Sequence, residues 1–298
     1  MKRLKNYALK VFSQRAKTMS HPLQQNHDPK MWEKHRFGLP NNRWERLKDK
    51  CVWVTGAGTG YGQCTAIALA AAGSFVILSG RKSEKLIETI TLMKSYGIGS
   101  SNCEIVDFDL TDIKQTENAC KSVMEITPSL YGLVNNAAVA QHGNTLYPLQ
   151  EGTYEVWDKI LKTNLTAQWY LTKTILPHMI KGKELRIIFM GSEAGWAFTP
   201  GFGMYNVSKC ALNNLSASFA SELDASHKDV DIQVNTIVPG EAKTEMNQMS
   251  TDSPFTIVPM ALLLLSHPAY GPNGCFFHRD GRYFSFAYAQ PYSREILC

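Results

Sequence analysis

The feature that most constrains the fold is an apolar run, a glycine-rich turn and an alanine-rich stretch, "CVWVTGAGTGYGQCTAIALAAAG", at residues 51–73. The apolar run predicts a buried strand over 51–54, and the alanine-rich stretch predicts a helix closed by Gly73. Another apolar run, "SFVILSG", follows at once and predicts a second strand. Two strands joined by a crossover helix form a βαβ unit, so we expect a parallel sheet covered by helices.

The glycines of this unit indicate what it binds. Glycine lets the backbone turn tightly and approach a pyrophosphate, which binds the amide groups of a helix N-terminus. The spacing over residues 55–62 is T-G-x-x-x-G-x-G, which differs from G-x-G-x-x-G. Because a predicted strand precedes the glycines and a predicted helix follows them, we expect a dinucleotide site here.

Length and composition favour one large domain, since the 298 residues contain no internal repeat or low-complexity tract. The seven cysteines are scattered and include no C-x-x-C pair, which suits a reducing cytoplasm better than a disulfide framework. The histidines lack the spacing of metal ligands, so no metal is expected. The longest apolar runs are too short for a transmembrane segment, and no signal peptide is recognisable. We therefore predict a cytoplasmic protein.

Charge divides the chain near residue 50. Residues 1–50 hold 13 Lys/Arg and 4 Asp/Glu, a net of +9, whereas the 18 basic and 22 acidic residues that follow give −4. We predict a basic N-terminal extension over 1–49 and one domain over 50–298. The extension begins with a basic helical stripe, which could contact a membrane surface or nucleic acid. Because Arg15 interrupts the stripe, a solvated tail or an arm packed on the domain or a partner subunit is favoured, and no nucleic acid is expected.

Further motifs follow in a fixed order along the chain. They are "DFDLTD" (107–112), "LVNNAA" (133–138), "KTNLTA" (162–167), "IIFMGSEAG" (187–195), "YNVSK" (205–209), "VNTIVPGEAKTEM" (234–246) and "HRDGR" (278–282). With the glycine turn, this order resembles the single-domain branch of the short-chain dehydrogenase/reductase family, from about residue 50 to about residue 281. Two departures are Ala138, where the family usually has glycine, and Arg282, which replaces the last glycine of D-G-G.

The resemblance implies a doubly wound α/β domain with a parallel sheet, the Rossmann fold. It implies an oxidoreductase that interconverts a carbonyl and a secondary alcohol with NAD(P)(H). It also implies a homodimer or homotetramer, formed through the helices that contain Asn164 and Tyr205. The implied cofactor-binding residues are Gly56, Thr59, Gly60, Tyr61, Asp109, Leu110, Asn136, Ala137, Tyr205, Lys209, Pro239, Gly240 and Thr244.

Tyr205 and Lys209 lie four positions apart, so they share one face of a helix. Free tyrosine titrates near ~10, and a nearby ammonium favours the phenolate, so we expect Lys209 to lower the pKa of Tyr205 towards neutrality. Without its partners, such a pair is more often an ordinary surface feature. By resemblance, Lys209 also holds the nicotinamide ribose, Ser192 orients the substrate oxygen, and Asn164 supports a proton relay.

The end of the second strand indicates which dinucleotide is bound. NAD(H) enzymes place an acidic residue there for the adenosine ribose hydroxyls. This chain has Gly80 at that position and Arg81 after it, and a guanidinium suits a 2′-phosphate. NADP(H) is therefore predicted in preference to NAD(H).

Two alternatives stay open at this point. A sugar-nucleotide epimerase or dehydratase usually has a larger C-terminal domain than the sixty or so residues that follow Pro239. A non-catalytic dinucleotide-binding scaffold or redox sensor would not need Asn164, Ser192, Tyr205 and Lys209 together. Substrate identity does not follow from the sequence.

Overall fold

The computed structural model describes residues 27–140, 147–197 and 199–285. In this part of the chain the strands form one sheet with the order β3-β2-β1-β4-β5-β6-β7-β8. The strands are Cys51–Thr55 (β1), Phe75–Ser79 (β2), Cys103–Ile105 (β3), Gly132–Asn135 (β4), Glu184–Met190 (β5), Asp231–Val238 (β6), Cys275–His278 (β7) and Tyr283–Ser285 (β8). Strands β1 to β7 are parallel, and β8 pairs antiparallel with β7. The predicted doubly wound α/β fold is confirmed, and its strand order reverses between β1 and β4.

Helices connect the strands and cover both faces of the sheet. They are Trp32–His35 (α1), Asn41–Glu45 (α2), Gly60–Ala71 (α3), Ser83–Ser95 (α4), Ile113–Ile126 (α5), Tyr154–Leu161 (α6), Ala167–Ile180 (α7), Ala194–Ala197 (α8), Gly203–Ser226 (α9) and Val258–Leu265 (α10). A π-helical turn at Lys162–Thr166 joins α6 to α7. None of the helices in the described ranges has the length and apolar character needed to span a bilayer.

The two faces of the sheet carry separate apolar cores, and β1 contributes to both. Val52 and Val54 pack in the core that contains α3 and α10. Cys51 and Trp53 pack in the core that contains residues of α5, α7 and α9. Successive side chains of a strand point to opposite faces, so a strand covered on both sides is buried throughout. This is why β1 has a continuous apolar sequence.

Residues just before the predicted domain pack in the core that contains α3 and α10. Phe37 and Leu47 are fully buried, and the Phe37 ring stacks on the ring of Phe255 with centroids 6.2 Å apart. The Arg46 guanidinium pairs with the Glu184 carboxylate at 2.7 Å. The division of the chain at residue 50 remains a prediction. The basic stripe near the N-terminus and the aromatic C-terminal tail lie outside the described residues.

Candidate active site

The glycine turn between β1 and α3 has a backbone that favours glycine. Gly56 and Gly60 have φ values of +64° and +56°, in the left-handed region. A Cβ at Gly62 would lie 2.3 Å from the carbonyl oxygen of Gly56. Helix α3 begins at Gly60 after Thr59 as N-cap, and its first amides have no side-chain cap in the described part of the chain. The helix N-terminus is therefore suited to binding phosphate oxygens.

Hydrogen bonds around Thr55 hold the end of β4 against this turn. The Thr55 hydroxyl accepts from the backbone amides of Asn136, at 3.0 Å, and Ala137, at 3.1 Å. The Asn136 side chain donates to the carbonyl oxygens of Thr55, at 2.9 Å, and Gly56, at 3.2 Å. The predicted contacts Asn136 and Ala137 therefore lie at the reversal of strand order, where ligands of doubly wound sheets bind.

Arg81 follows β2 and is exposed. Within the described ranges its guanidinium makes no hydrogen bond or ion pair. A Cβ at Gly80 would lie 3.5 Å from Leu86 Cδ2, which is an ordinary contact, so this position can accept a Cβ. A guanidinium beside a position without a carboxylate suits a phosphate better than ribose hydroxyls.

Asp109 and Leu110 lie beside the end of β2, because Phe108 donates its amide to the Gly80 carbonyl at 3.1 Å. Leu110 is buried. Asp109 Oδ1 accepts from both the amide and the hydroxyl of Thr111, each at 2.8 Å. The Asp109 carboxylate therefore stabilises its own turn, and a contact of this segment with adenine stays a prediction.

Tyr205 and Lys209 lie one turn apart on α9, and Ser192 follows the end of β5. The Ser192 hydroxyl lies near enough to the Tyr205 hydroxyl to act on the pKa of Tyr205. Lys209 Nζ lies 5.6 Å from the centre of the Tyr205 ring and donates to the Met190 carbonyl at 2.7 Å. Lys209 is 1% exposed, whereas Tyr205 is half-buried. The structure thus brings three of the predicted catalytic residues together.

The electrostatics of this group differ from the expectation based on spacing. Burial raises the pKa of Tyr205 to about 12, and the nearby Ser192 hydroxyl acts in the opposite direction. Burial also lowers the pKa of Lys209 to about 7. A lysine with such a pKa is only partly charged at neutral pH, so it favours the phenolate less than an exposed ammonium at the same distance would. In the protein without ligand, desolvation therefore outweighs the expected lowering of the Tyr205 pKa.

Asn164 lies in the π-helical turn and is fully buried. Its Oδ1 accepts from the Val139 amide at 2.8 Å, and its Nδ2 donates to the Val139 carbonyl at 2.9 Å. The same Nδ2 is 3.1 Å from the hydroxyl of Ser208, the neighbour of Lys209. π-Helical turns often occur at functional sites. The Asn164 side chain connects the segment after β4 to α9, and its role in a proton relay stays a prediction.

Gln168 and Thr172 lie on the same helix face as Asn164 and extend this connection, and both were missed by the sequence analysis. Gln168 Nε2 donates to the Ala137 carbonyl at 2.8 Å, and Asn135 Nδ2 donates to the Thr172 hydroxyl at 2.9 Å. Four residues of a helix and two residues of an extended chain each span roughly 6 Å. Side chains four positions apart on the helix can therefore meet every second residue of β4 and the segment after it. Polar residues that recur every four positions, at 164, 168 and 172, are the signal that could have revealed them.

The loop after β6 approaches the glycine turn from the other side. Pro239 is buried, and Gly240 has a φ of +67°. The Tyr61 hydroxyl donates to the Gly240 carbonyl at 2.9 Å. Thr244 Cγ2 lies 3.2 Å from the position of a Cβ built on Gly60. The predicted cofactor contacts on the two segments therefore lie close together, and their contact with a dinucleotide stays a prediction.

Comparison with known proteins identifies the family of this chain. The family model described as "short chain dehydrogenase" matches residues 50–254. The mouse protein "Dehydrogenase/reductase SDR family member 4" (Mus musculus) is 31% identical over 204 residues, which cover 68% of this chain and 69% of the mouse protein.

Solved structures are similar over most of the chain. A Pseudomonas syringae protein assigned to the short chain dehydrogenases has a TM-score of 0.72 and 29% identity, and the match covers 79% of this chain and 96% of that one. A protein from Escherichia coli CFT073, also assigned to the short chain dehydrogenases and complexed with NADPH, has a TM-score of 0.71 and 26% identity, with 79% and 98% covered. The chain therefore belongs to the short-chain dehydrogenase/reductase family of NAD(P)-dependent oxidoreductases.

Proposed function

We propose that this protein is an NADP(H)-dependent oxidoreductase that interconverts a carbonyl compound and a secondary alcohol, with Tyr205 as the acid/base. The observation that carries the proposal is the placement of the Tyr205 ring 5.6 Å from Nζ of the buried Lys209, on the helix that packs beside the end of β5 and Ser192. A tyrosine whose pKa is raised by burial is protonated at neutral pH, so it is ready to act as an acid.

The residues assigned to cofactor binding lie mainly on the glycine turn, after β4 and on the loop after β6, and these segments lie next to one another. When bound, the nicotinamide supplies or accepts the hydride. Arg81, whose guanidinium has no partner within the described ranges, supports NADP(H) over NAD(H), as does the NADPH complex of the related E. coli protein.

The chain's own residues then manage the proton and the substrate oxygen. Tyr205 donates its proton to the oxygen as a carbonyl is reduced, and Ser192 donates a hydrogen bond that holds the oxygen beside it. Charge on Lys209 stabilises the phenolate that Tyr205 becomes. Asn164 keeps α9 in register with the segment after β4 through its bonds to Ser208 and Val139.

The test is Tyr205→Phe, which removes only the hydroxyl. NADPH oxidation would be followed by absorbance with a panel of ketones, sugars and acyl thioesters, and the best substrate used for the comparison. We expect turnover to fall by roughly 10²- to 10⁴-fold, the usual contribution of an acid/base, with NADPH affinity nearly intact. Tyr131→Phe, far along the chain from α9, is the matched control. Near-normal turnover in folded Tyr205→Phe would remove Tyr205 from this role and favour a different acid/base or a scaffold.

We also propose that the protein forms a homodimer or homotetramer through α7 and α9. An open groove runs between these helices, and its lining includes Trp169 and Val207, which are 40% and 38% exposed. Large exposed apolar side chains that lie together commonly mark an interface. Sedimentation of the wild type and of Trp169→Asp measures this directly: a dimer or tetramer that dissociates in the variant is expected, and a monomeric wild type would contradict it.

Finally, we propose a cytoplasmic location. Cys51, Cys64, Cys103, Cys120 and Cys210 are free thiols, and burial raises the pKa of Cys51 and Cys103 to about 11. Unpaired thiols persist best in a reducing compartment. Fractionation of cells that produce the full chain tests the location, and recovery with a membrane or secreted fraction would refute it.

A further inference from the structure

Tyr61 occupies the first turn of α3, between the third and fourth glycines of the turn, yet its side chain reaches a different part of the fold. Its hydroxyl donates to the Gly240 carbonyl at 2.9 Å, although the two residues are 179 positions apart in the chain. Burial raises the pKa of the Tyr61 hydroxyl, so it stays protonated and remains a donor over the physiological range. The glycine turn and the start of the loop after β6 are thereby joined directly.

Arg279, which follows β7, holds the same loop at both ends. Its Nη1 donates to the Glu241 carbonyl and to the Thr256 hydroxyl, each at 2.7 Å. Its Nη2 donates to the Asp252 carboxylate at 2.8 Å. The guanidinium therefore connects the first residues of the 240–253 loop with its last ones, and with the helical turn that follows.

The backbone of the loop is shaped to fit this arginine. Gly240 has a φ of +67°, and a Cβ on it would lie 2.8 Å from Arg279 Nε. Any other residue at this position would be strained and would also displace the guanidinium. Between its two ends, the loop places Thr244 against Gly60 of the glycine turn.

From this geometry we propose that Tyr61 and Arg279 form a clasp that holds the 240–253 loop against the glycine turn and sets the rate at which the dinucleotide is exchanged. The identity of the ligand rests on the proposed function, whereas the clasp rests on the contacts above. Because predicted cofactor contacts lie on both the turn and the loop, the loop must move away from the turn for exchange. Tyr61 and Arg279 are thus positioning residues, which act through the loop.

The test compares Tyr61→Phe with Tyr131→Phe, a matched control. The Tyr131 hydroxyl also donates to a carbonyl, that of Leu265, but Tyr131 lies just before β4, at the N-terminal ends of the parallel strands, whereas the glycine turn lies at their C-terminal ends. The first measurement is trypsin cleavage after Lys243, an exposed residue of the loop, in the protein without ligand. The second is the rate constant of NADPH dissociation, measured by stopped-flow fluorescence.

In Tyr61→Phe we expect both rates to rise by about 2- to 10-fold, which corresponds to the loss of one hydrogen bond. Arg279→Met removes three bonds and should raise both further, while Tyr131→Phe should leave both near wild type. Wild-type rates in Tyr61→Phe, or an equal rise in Tyr131→Phe, would overturn the clasp. Faster trypsin cleavage without faster NADPH dissociation would show that the clasp does not control cofactor exchange. If the wild type bound no NADPH, the proposed function would fail, but cleavage of the unliganded variants would still decide whether the clasp exists.

Discussion

Replacing Lys209 by methionine should change how the stability of the unliganded protein depends on pH. Burial lowers the pKa of Lys209 from its ordinary value of 10.5 to about 7. Between these values the unfolded chain binds a proton at this side chain that the folded protein has lost. Stability therefore rises with pH across this window, since the unfolded state binds more protons. Below about pH 7 the full penalty for burying the ammonium is present.

The size of the effect follows from the same two pKa values. Linkage gives a gain of about 2.5 kcal/mol in the free energy of unfolding between about pH 6 and about pH 9. Lys209→Met keeps a side chain of similar length and removes the charge, so this gain should be missing from the variant. The variant should thus be more stable, relative to wild type, at the lower pH than at the higher one. Loss of the hydrogen bond from Lys209 to the Met190 carbonyl should change the free energy of unfolding of the variant by nearly the same amount at both pH values.

Urea unfolding of both proteins at the two pH values measures the difference, and titrating groups common to both proteins cancel. Lys121→Met, at an exposed lysine of α5, is the control and should show the same stability difference at both pH values. A stability difference between wild type and Lys209→Met that does not change with pH would refute the reasoning. It would mean that Lys209 is solvated or paired with an anion in solution.

Arg81→Ala should weaken NADPH binding by roughly tenfold or more and leave NADH binding nearly unchanged, because it removes a hydrogen-bonding cation from the 2′-phosphate. Gly80→Asp, whose Cβ would make only an ordinary contact, should instead favour NADH. Fluorescence titration measures the affinity for both cofactors, and an equal loss of both affinities in Arg81→Ala would contradict the assignment. Deleting residues 1–26 removes none of the described core and should leave the urea midpoint almost unchanged. Deleting residues 1–40 also removes the buried Phe37, which should lower the free energy of unfolding by roughly 3 kcal/mol or more, and equal midpoints for the two truncations would show that Phe37 does not stabilise the core.

The sequence by itself determined the βαβ unit and the arrangement of its glycine turn. These are local properties, because side-chain periodicity and the positive φ of Gly56 and Gly60 depend on residues only a few positions apart. β1 extends one residue beyond the predicted 51–54, to Thr55, and α3 ends at Ala71, before Gly73. The order of the motifs along the chain indicated the family, and the strand order in the structure then confirmed the fold.

The tertiary structure decided what these side chains do to one another. The pKa values of Tyr205 and Lys209 move in directions that their spacing did not predict, because desolvation depends on everything packed around them. Tyr61 meets Gly240, and Arg279 meets Asp252, only because β6 and β7 follow β5 in the sheet and bring their ends near the glycine turn. No local pattern encodes such contacts, since they depend on which distant strands become neighbours.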